Sequence, residues 1–535
     1  MPSSALRQPE QIDPYPGQQR KLLLLAKILS SAIIGIDAYP IEVEVDITNG
    51  LPYFATVGLP ETSVKESKER VKSAIANSGY FFPDDRITVN LAPANIKKEG
   101  TGFDLPIALG ILTATGIIPK LFVERYFIRG ELSLDGRIKP VNGTLPMAIA
   151  AKKAGYPGII VPFDNRREAA VVEGIDVFPI KTLSAAVDFF RGILKIIPEK
   201  ADLSTLLRVD AAFECDFAEV RGQEHVKRAM EIAAAGAHNL LMIGPPGSGK
   251  TMLAKRLATI LPRLTFEEAV ETTKIFSVVG LLEKDQALIT SRPFRSPHHT
   301  ISDAGLIGGG HVPRPGEVSL AHHGVLFLDE LSEFKKHVLE VLRQPLEDKR
   351  VTISRASTTI TYPSSFMLVA AMNPCPCGFF SDPKHECRCS VYQIQRYRSK
   401  ISGPLLDRID LHVEVPAVPY NELAKPTTSE SSHAIAARVS KTREIQLKRF
   451  QYDTIHFNAH MRNRHLRKYC SIDSHSTALL ESATDKLGLS ARAYTRILKI
   501  ARTIADSENQ SDIQSGHIAE AIQYRSLDRG KVAVL

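Results

Sequence analysis

Gly244-Pro245-Pro246-Gly247-Ser248-Gly249-Lys250-Thr251 fits the pattern G-x-x-x-x-G-K-[ST], and its flanks decide the fold. Asn239-Leu240-Leu241-Met242-Ile243 before it is apolar and of strand type, and the stretch 252–258 after it reads as a helix. Strand, glycine-rich loop and helix in that order predict a nucleoside triphosphate site. The glycines let backbone N–H groups curl around the β- and γ-phosphates, at the positive end of the following helix. Lys250 adds a mobile charge and Thr251 a hydroxyl for Mg²⁺, so ATP and Mg²⁺ are the expected cofactors.

A second element predicts hydrolysis. Gly324-Val325-Leu326-Phe327-Leu328-Asp329-Glu330 reads as a buried strand ending in two carboxylates, as doubly wound NTPase sheets require. Asp329 suits the Mg²⁺ shell and Glu330 the attacking water. A third apolar strand, 366–372, ends in Asn373, where a sensor of the γ-phosphate belongs. Together these strands describe an AAA+ ATPase core with a parallel sheet.

With 535 residues the chain is too long for one core, and two to four domains are expected. Apolar content of 44% and charged content of 24% are ordinary for globular protein. The net charge of +8 is a mild bias towards polyanions. No apolar run reaches the ~18 residues of a membrane span. Arg20-Lys21-Leu22-Leu23-Leu24-Leu25-Ala26 imitates a signal peptide, but Lys27 interrupts it and no small-residue cleavage site follows. Six cysteines in a chain of this size do not form a disulfide framework, and the cytoplasm is the expected compartment.

The pattern along the chain gives a multidomain α/β protein. A polar tail at 1–25 precedes an α+β domain at 26–195, a linker at 196–216 and the ATPase core at 217–420. A helical lid fills 421–535. Within the first domain, 41–47 alternates with period two and reads as a half-exposed strand, while 105–115 reads as an apolar helix.

Longer motifs carry a family resemblance. Arg292-Pro293-Phe294-Arg295-Ser296-Pro297-His298-His299, Gly308-Gly309-Gly310, Ala321-His322-His323-Gly324, Leu342-Arg343-Gln344-Pro345-Leu346-Glu347 and Asn373-Pro374-Cys375-Pro376-Cys377-Gly378 resemble the magnesium-chelatase branch of AAA+ proteins. With a Lon-protease-like domain in front, the whole arrangement is similar to the ComM (YifB) family. The resemblance implies a homohexameric ATPase driving branch migration of DNA in natural transformation, with the recombinase machinery as a candidate partner and no membrane partner. The alternative is a chelatase-like motor acting on a metal-insertion partner. The resemblance also implies that Arg408, in Leu405-Leu406-Asp407-Arg408, reaches a neighbouring subunit's γ-phosphate; the plainer reading is a surface pair with Asp407 or Asp410. It places a second nucleotide sensor at Arg492, with Arg496 in reserve; a solvated basic helix face explains either one as well.

The resemblance to Lon raises a Ser–Lys proteolytic dyad, which the residues exclude. Lys97-Lys98-Glu99-Gly100-Thr101-Gly102-Phe103-Asp104 aligns so that the nucleophile falls at Gly102, and no serine lies between Ser78 and Ser133. The lysine falls between Leu145 and Met147, where no side chain can activate a nucleophile. Lys139 is nearby, but a dyad needs both members.

Two further features remain. Cys375, Cys377, Cys387 and Cys389 form two C-x-C pairs that can converge on a structural Zn²⁺, with His385 as a substitute ligand; reduced structural or redox thiols are the other reading. The stretch 438–502 carries fourteen Lys/Arg against five Asp/Glu, a candidate patch for sequence-tolerant contacts to single- or double-stranded DNA. Ordinary lid surface accounts for it equally. The resemblance implies stronger DNA candidates in two loops that this branch projects into its central pore: 292–299, with Arg295, His298 and His299, and Val351-Thr352-Ile353-Ser354-Arg355; His299 reads equally as a satisfied core histidine.

Overall fold

The period-two alternation at 41–47 forms a strand in the computed structural model of the protein, which describes residues 25–208, 214–310, 312–355, 358–380, 382–419 and 429–525. The expected tail and the 420/421 boundary fall almost wholly outside the described residues, as does part of the linker. The chain divides into two compact units. Residues up to Ala201 with Gly280–Ala287 make the first, and Asp202–Val279 with Leu288–Leu535 the second.

The first unit is built on a seven-stranded mixed sheet. Its strands are β1 (Leu25–Ile34), β2 (Asp37–Thr48), β3 (Tyr53–Val57), β4 (Arg86–Ala92), β5 (Tyr126–Ile128), β6 (Gly158–Pro162) and β7 (Asp176–Ile180). Their order is β3-β4-β2-β1-β5-β6-β7. On β2, Ile41, Val43, Val45 and Ile47 turn into the core while Glu42 and Asp46 face outward. The helix Asp104–Ala114 is buried at every residue and packs on β1 and β2. Its first carboxylate, Asp104, is held by the Arg70 guanidinium at 2.7 and 2.9 Å, since an unpaired charge at that depth would be costly.

The second unit carries five parallel strands: β8 (Leu240–Ile243), β9 (Phe294–Arg295), β10 (Val325–Leu328), β11 (Met367–Met372) and β12 (Leu411–Glu414). Their order is β9-β10-β11-β8-β12. Every residue of β8, β10 and β11 is buried, as expected for a parallel sheet covered on both faces. The order inserts β11 between the phosphate-loop strand and the Asp329–Glu330 strand, so Asn373 stands between the two motifs. The helix Ala491–Ser507 buries Ala493, Ile497, Ile500, Ala501, Ile504 and Ala505 on one face. Those side chains share one apolar core with β8, β10, β11 and β12, so the helical region packs as part of this unit. No helix among the described residues is long and apolar enough to cross a membrane.

Candidate nucleotide-hydrolysis site

The loop 244–251 leaves β8 and enters the helix Lys250–Ile260 through Gly249, whose φ of +89° few other residues tolerate. A Cβ at Gly244 would lie 2.1 Å from the Val415 carbonyl oxygen beyond β12, which demands glycine there. The Lys250 amine donates to the carbonyls of Gly244 at 2.8 Å and Pro245 at 2.9 Å, and reaches Asn373 Oδ1 at 3.3 Å. Burial holds its pKa below the ordinary lysine value, while Asp329 pulls the other way. The Thr251 hydroxyl donates to Asp329 Oδ2 at 2.6 Å. A hydroxyl and a carboxylate in contact are hard oxygen donors that suit Mg²⁺. The structure thus brings Lys250, Thr251, Asp329 and Asn373 together as the sequence predicts. Glu330 follows directly, with φ of +52° and its N–H on Asp329 Oδ1 at 2.9 Å. Glu330 and Asn373 line a cleft of about 480 Å³ with Arg396, Tyr397 and Lys400.

Two residues join this site that the sequence did not assign to it. Gln223, buried and with φ of +58°, donates its side-chain amide to Ser248 O and Pro416 O, both at 3.0 Å, clamping the loop to the chain leaving β12. His299, a DNA candidate in sequence, places Nδ1 3.4 Å from Glu330 Oε2. Its ring lies 4.1 Å from that of His298, which is exposed.

Other candidates are used elsewhere. The Arg292 guanidinium is internal, donating to the His323 carbonyl at 2.7 Å and to Glu268 at 2.9 Å. Arg295 is clamped in a bidentate pair with Glu317 at 2.6 and 2.8 Å. His322 Nδ1 accepts the Ser365 N–H at 2.9 Å, so its protonated Nε2 faces Glu271 at 3.1 Å. That nitrogen, buried and without a hydrogen bond of good geometry, carries the ring proton and would have to lose it to ligate a metal. The basic stretch 438–502 is consumed in part, with Lys441, Lys448, Arg462, Arg467 and Lys468 left exposed. Arg438 pairs with Glu231 and Glu430, Arg449 with Asp506, Arg464 with Asp453, and Arg502 with Asp506 and the carbonyls of Gln510 and Ser511.

Arg408 and Arg492 stand at the opposite edge of the sheet from Lys250. They flank the start of β12, whereas the phosphate loop leaves the end of its parallel neighbour β8. Arg408 is 6% exposed. It pairs with Glu347 and the Pro404 carbonyl, not with Asp407 or Asp410 as the plainer sequence reading had it. Arg496 is tied to Asp410 and to the Asp407 carbonyl. Arg492 is the open one, its side chain 59% exposed and Nη1 3.8 Å from Asp407 Oδ2.

In the first unit, a Cβ at Gly102 would meet Arg129 Nε at 2.8 Å and Cγ at 2.9 Å, so Arg129 fills the space of the missing nucleophile. Leu145 and Met147 are fully buried in the helix Thr144–Lys153, and Lys139 is exposed.

The four cysteines converge, with all four Sγ atoms within 4.8 Å of one another. His385 is turned away, its Nδ1 3.2 Å from Asp382 and its ring on Phe379, and so is not among them.

The family described as "Magnesium chelatase, subunit ChlI" matches residues 216–423, "Subunit ChlI of Mg-chelatase" 43–165, and "Magnesium chelatase, subunit ChlI C-terminal" 429–525. The chain is 44% identical over 512 residues to competence protein ComM of Haemophilus influenzae, covering 94% of this chain and 98% of that protein. It is 44% identical over 507 residues to YifB of Escherichia coli, with the same coverage. Over 129 residues, 24% of this chain and 23% of the other, it is 30% identical to Lon protease 2 of Bacillus subtilis.

Proposed function

The chain belongs to the ComM/YifB family of magnesium-chelatase-type ATPases, and from that premise we propose a homohexameric, Mg²⁺-dependent ATPase that translocates on DNA and drives branch migration during natural transformation. The observation that carries the ATPase reading is the convergence of Lys250, Thr251, Asp329, Glu330 and Asn373 at one sheet edge. Lys250 binds the β- and γ-phosphates, and Glu330 takes up the attacking water and orients it. Asn373, bonded to Lys250, reads the γ-phosphate. Thr251 and Asp329 hold the Mg²⁺, which when bound neutralises phosphate charge.

The ring reading rests on Arg408 and Arg492 lying at the far edge. A strand of four residues spans about 13 Å, so neither side chain reaches its own nucleotide, and a neighbour's site is what they can complete. The DNA reading rests on the competence protein among the relatives and on the hairpin Arg350–Arg355 with Thr358–Pro363, whose Arg350 and Arg355 are exposed. With Arg292 and Arg295 internally bonded, the hairpin, His298 and the exposed Arg462, Arg467 and Lys468 are the remaining DNA-facing candidates. No base-reading module is present among the described residues, so contacts are sequence-tolerant, and the protein acts in the cytoplasm.

The test is the ATPase rate with single-stranded, duplex and four-way DNA, alongside migration of a labelled four-way junction. Stimulation by DNA and ATP-dependent migration are expected. Stimulation by none of the three would favour the chelatase-like motor, which the family description otherwise suggests.

A further inference from the structure

The four cysteines sit on the nucleotide site. Cys375 follows Asn373 by two residues, and Cys389 directly precedes Ser390, the capping residue of the helix Val391–Arg398. That helix lines the cleft holding Glu330 and Asn373. Between the pairs, Gly378 turns with φ of +88° against the phosphate loop, where a Cβ would come within 2.5 Å of Pro246 Cδ. The knuckle therefore touches the loop on one side and continues into the sensor strand and the cleft helix on the others.

The sulfur geometry is that of a metal site. Sγ of Cys375 lies 3.3 Å from Cys377 and 3.7 Å from Cys387, and Cys377 lies 3.6 Å from Cys387. A tetrahedron of thiolates with Zn–S of ~2.3 Å spaces its sulfurs about 3.8 Å apart. The Phe380 N–H donates to Cys375 Sγ at 3.3 Å, a bond that favours the thiolate a metal requires. None of the four is in a disulfide. Four soft thiolates in a closed tetrahedron suit Zn²⁺ and not the hard Mg²⁺ of the nucleotide site.

We infer that Cys375, Cys377, Cys387 and Cys389 hold one Zn²⁺, and that this ion is energetically coupled to the nucleotide through Gly378 on Pro246 and through Asn373. The coupling half rests on the ATP-binding reading above. Linkage makes it reciprocal: if the metal braces the loop that grips the phosphates, bound nucleotide must tighten the grip on the metal by the same factor.

The experiment uses the full-length protein purified under reducing conditions. Metal analysis should return about one zinc per chain, and Co²⁺ in its place should give the intense absorption of tetrahedral thiolate coordination. Cys387→Ser and Cys389→Ser should each lower the zinc content, with circular dichroism reporting whether they fold. Zinc affinity is then measured by equilibrium competition with a chromogenic chelator in the wild type, with and without a non-hydrolysable ATP analogue and Mg²⁺. Nucleotide is expected to tighten zinc binding by about 5-fold or more, the range of ordinary allosteric coupling. Lys250→Ala should bind the same zinc and show no tightening.

Protein that neither carries zinc nor takes up Zn²⁺ or Co²⁺ overturns the site. Bound zinc whose affinity is unchanged, in samples where a fluorescent ATP analogue shows saturated binding, overturns the coupling. Failure of the fluorescent analogue to bind overturns the ATP reading and the coupling with it, while the metal content still decides the zinc site by itself.

Discussion

Gly102→Ser puts back the nucleophile that the Lon-like domain lacks, and the structure says what it meets. The new Cβ would sit 2.8 Å from Arg129 Nε, 2.9 Å from Cγ and 3.0 Å from Cζ. Arg129 has little room to yield. It is 5% exposed, its Nη1 donates to the Ser31 carbonyl, and its guanidinium lies over the Phe103 ring. Burial already lowers its pKa to about 10. Overpacking of this kind costs about 1–3 kcal/mol. For a unit of this size each kcal/mol is worth ~2–4 °C, so the melting transition of the first unit should fall by about 2–12 °C. Calorimetry on the full-length variant measures the fall, and a fluorophosphonate probe reads nucleophilicity. Adding Arg129→Ala should cost less than the sum of the two single changes, because the clash disappears with the arginine. No label is expected at position 102 in either background, since Leu145, Pro146 and Met147 supply no base. An unshifted transition with labelling at position 102 would refute both the steric and the catalytic argument.

The remaining expectations concern the ATPase. Lys250→Ala should abolish nucleotide binding in a filter or fluorescence assay, whereas Glu330→Gln should keep binding and lose turnover by ~10²-fold or more. His299→Ala should change kcat with ATP affinity nearly intact, because His299 approaches Glu330 Oε2, the group assigned to the water; equal loss of affinity would place it elsewhere. Arg408→Ala should leave ATP affinity nearly intact while hydrolysis falls, and mixing it with Glu330→Gln protomers should recover part of the activity. No recovery, in rings shown by native mass spectrometry to be mixed, would refute a trans role.

The sequence made the nucleotide site legible because its parts are contiguous. A strand, a glycine-rich loop and a helix start are adjacent in the chain, and the tips of two more apolar strands supplied Asp329, Glu330 and Asn373. What stayed hidden depends on partners distant in sequence. Arg292 and Arg295 look like free pore-loop cations until Glu268 and Glu317 are beside them. The basic stretch 438–502 counts as a patch in one dimension, yet Glu231 and Glu430, which take up Arg438, both lie outside it. Arg129 is invisible as the occupant of the Gly102 space because 27 positions separate them and the contact is side chain to backbone. In sequence His299 takes its meaning from its neighbours in the chain, whereas β9 lying parallel beside β10 is what brings the residues that follow it towards Glu330.

The same parallel geometry bears on assembly. Residues before a strand and residues after its neighbour lie at opposite edges of a parallel sheet, whatever the side chains. Lys250, Asp329, Glu330 and Asn373 follow β8, β10 and β11, while Arg408 precedes β12 and Arg492 stands beside Asp407. Under the proposed trans role one chain presents two half-sites facing apart, and head-to-tail repetition is the arrangement that joins them; such a heterologous contact gives a ring where its rotation closes and an open filament where it does not. In the single chain Arg408 is bonded to Glu347, whose own side chain is 54% exposed. Docking a neighbour's phosphate at this edge offers the guanidinium a stronger anion, and Glu347 can return to water at little cost because it is already half solvated. Under that role the position of Arg408 is conditional on an occupied neighbouring site. Removing Glu347 alone, as Glu347→Gln, should therefore release Arg408 without deleting it, and in isolated wild-type protomers the pair should persist. If Glu347→Gln lowers hydrolysis as far as Arg408→Ala does, the carboxylate is positioning the arginine for the neighbour rather than holding it in reserve, and the exchange argument fails.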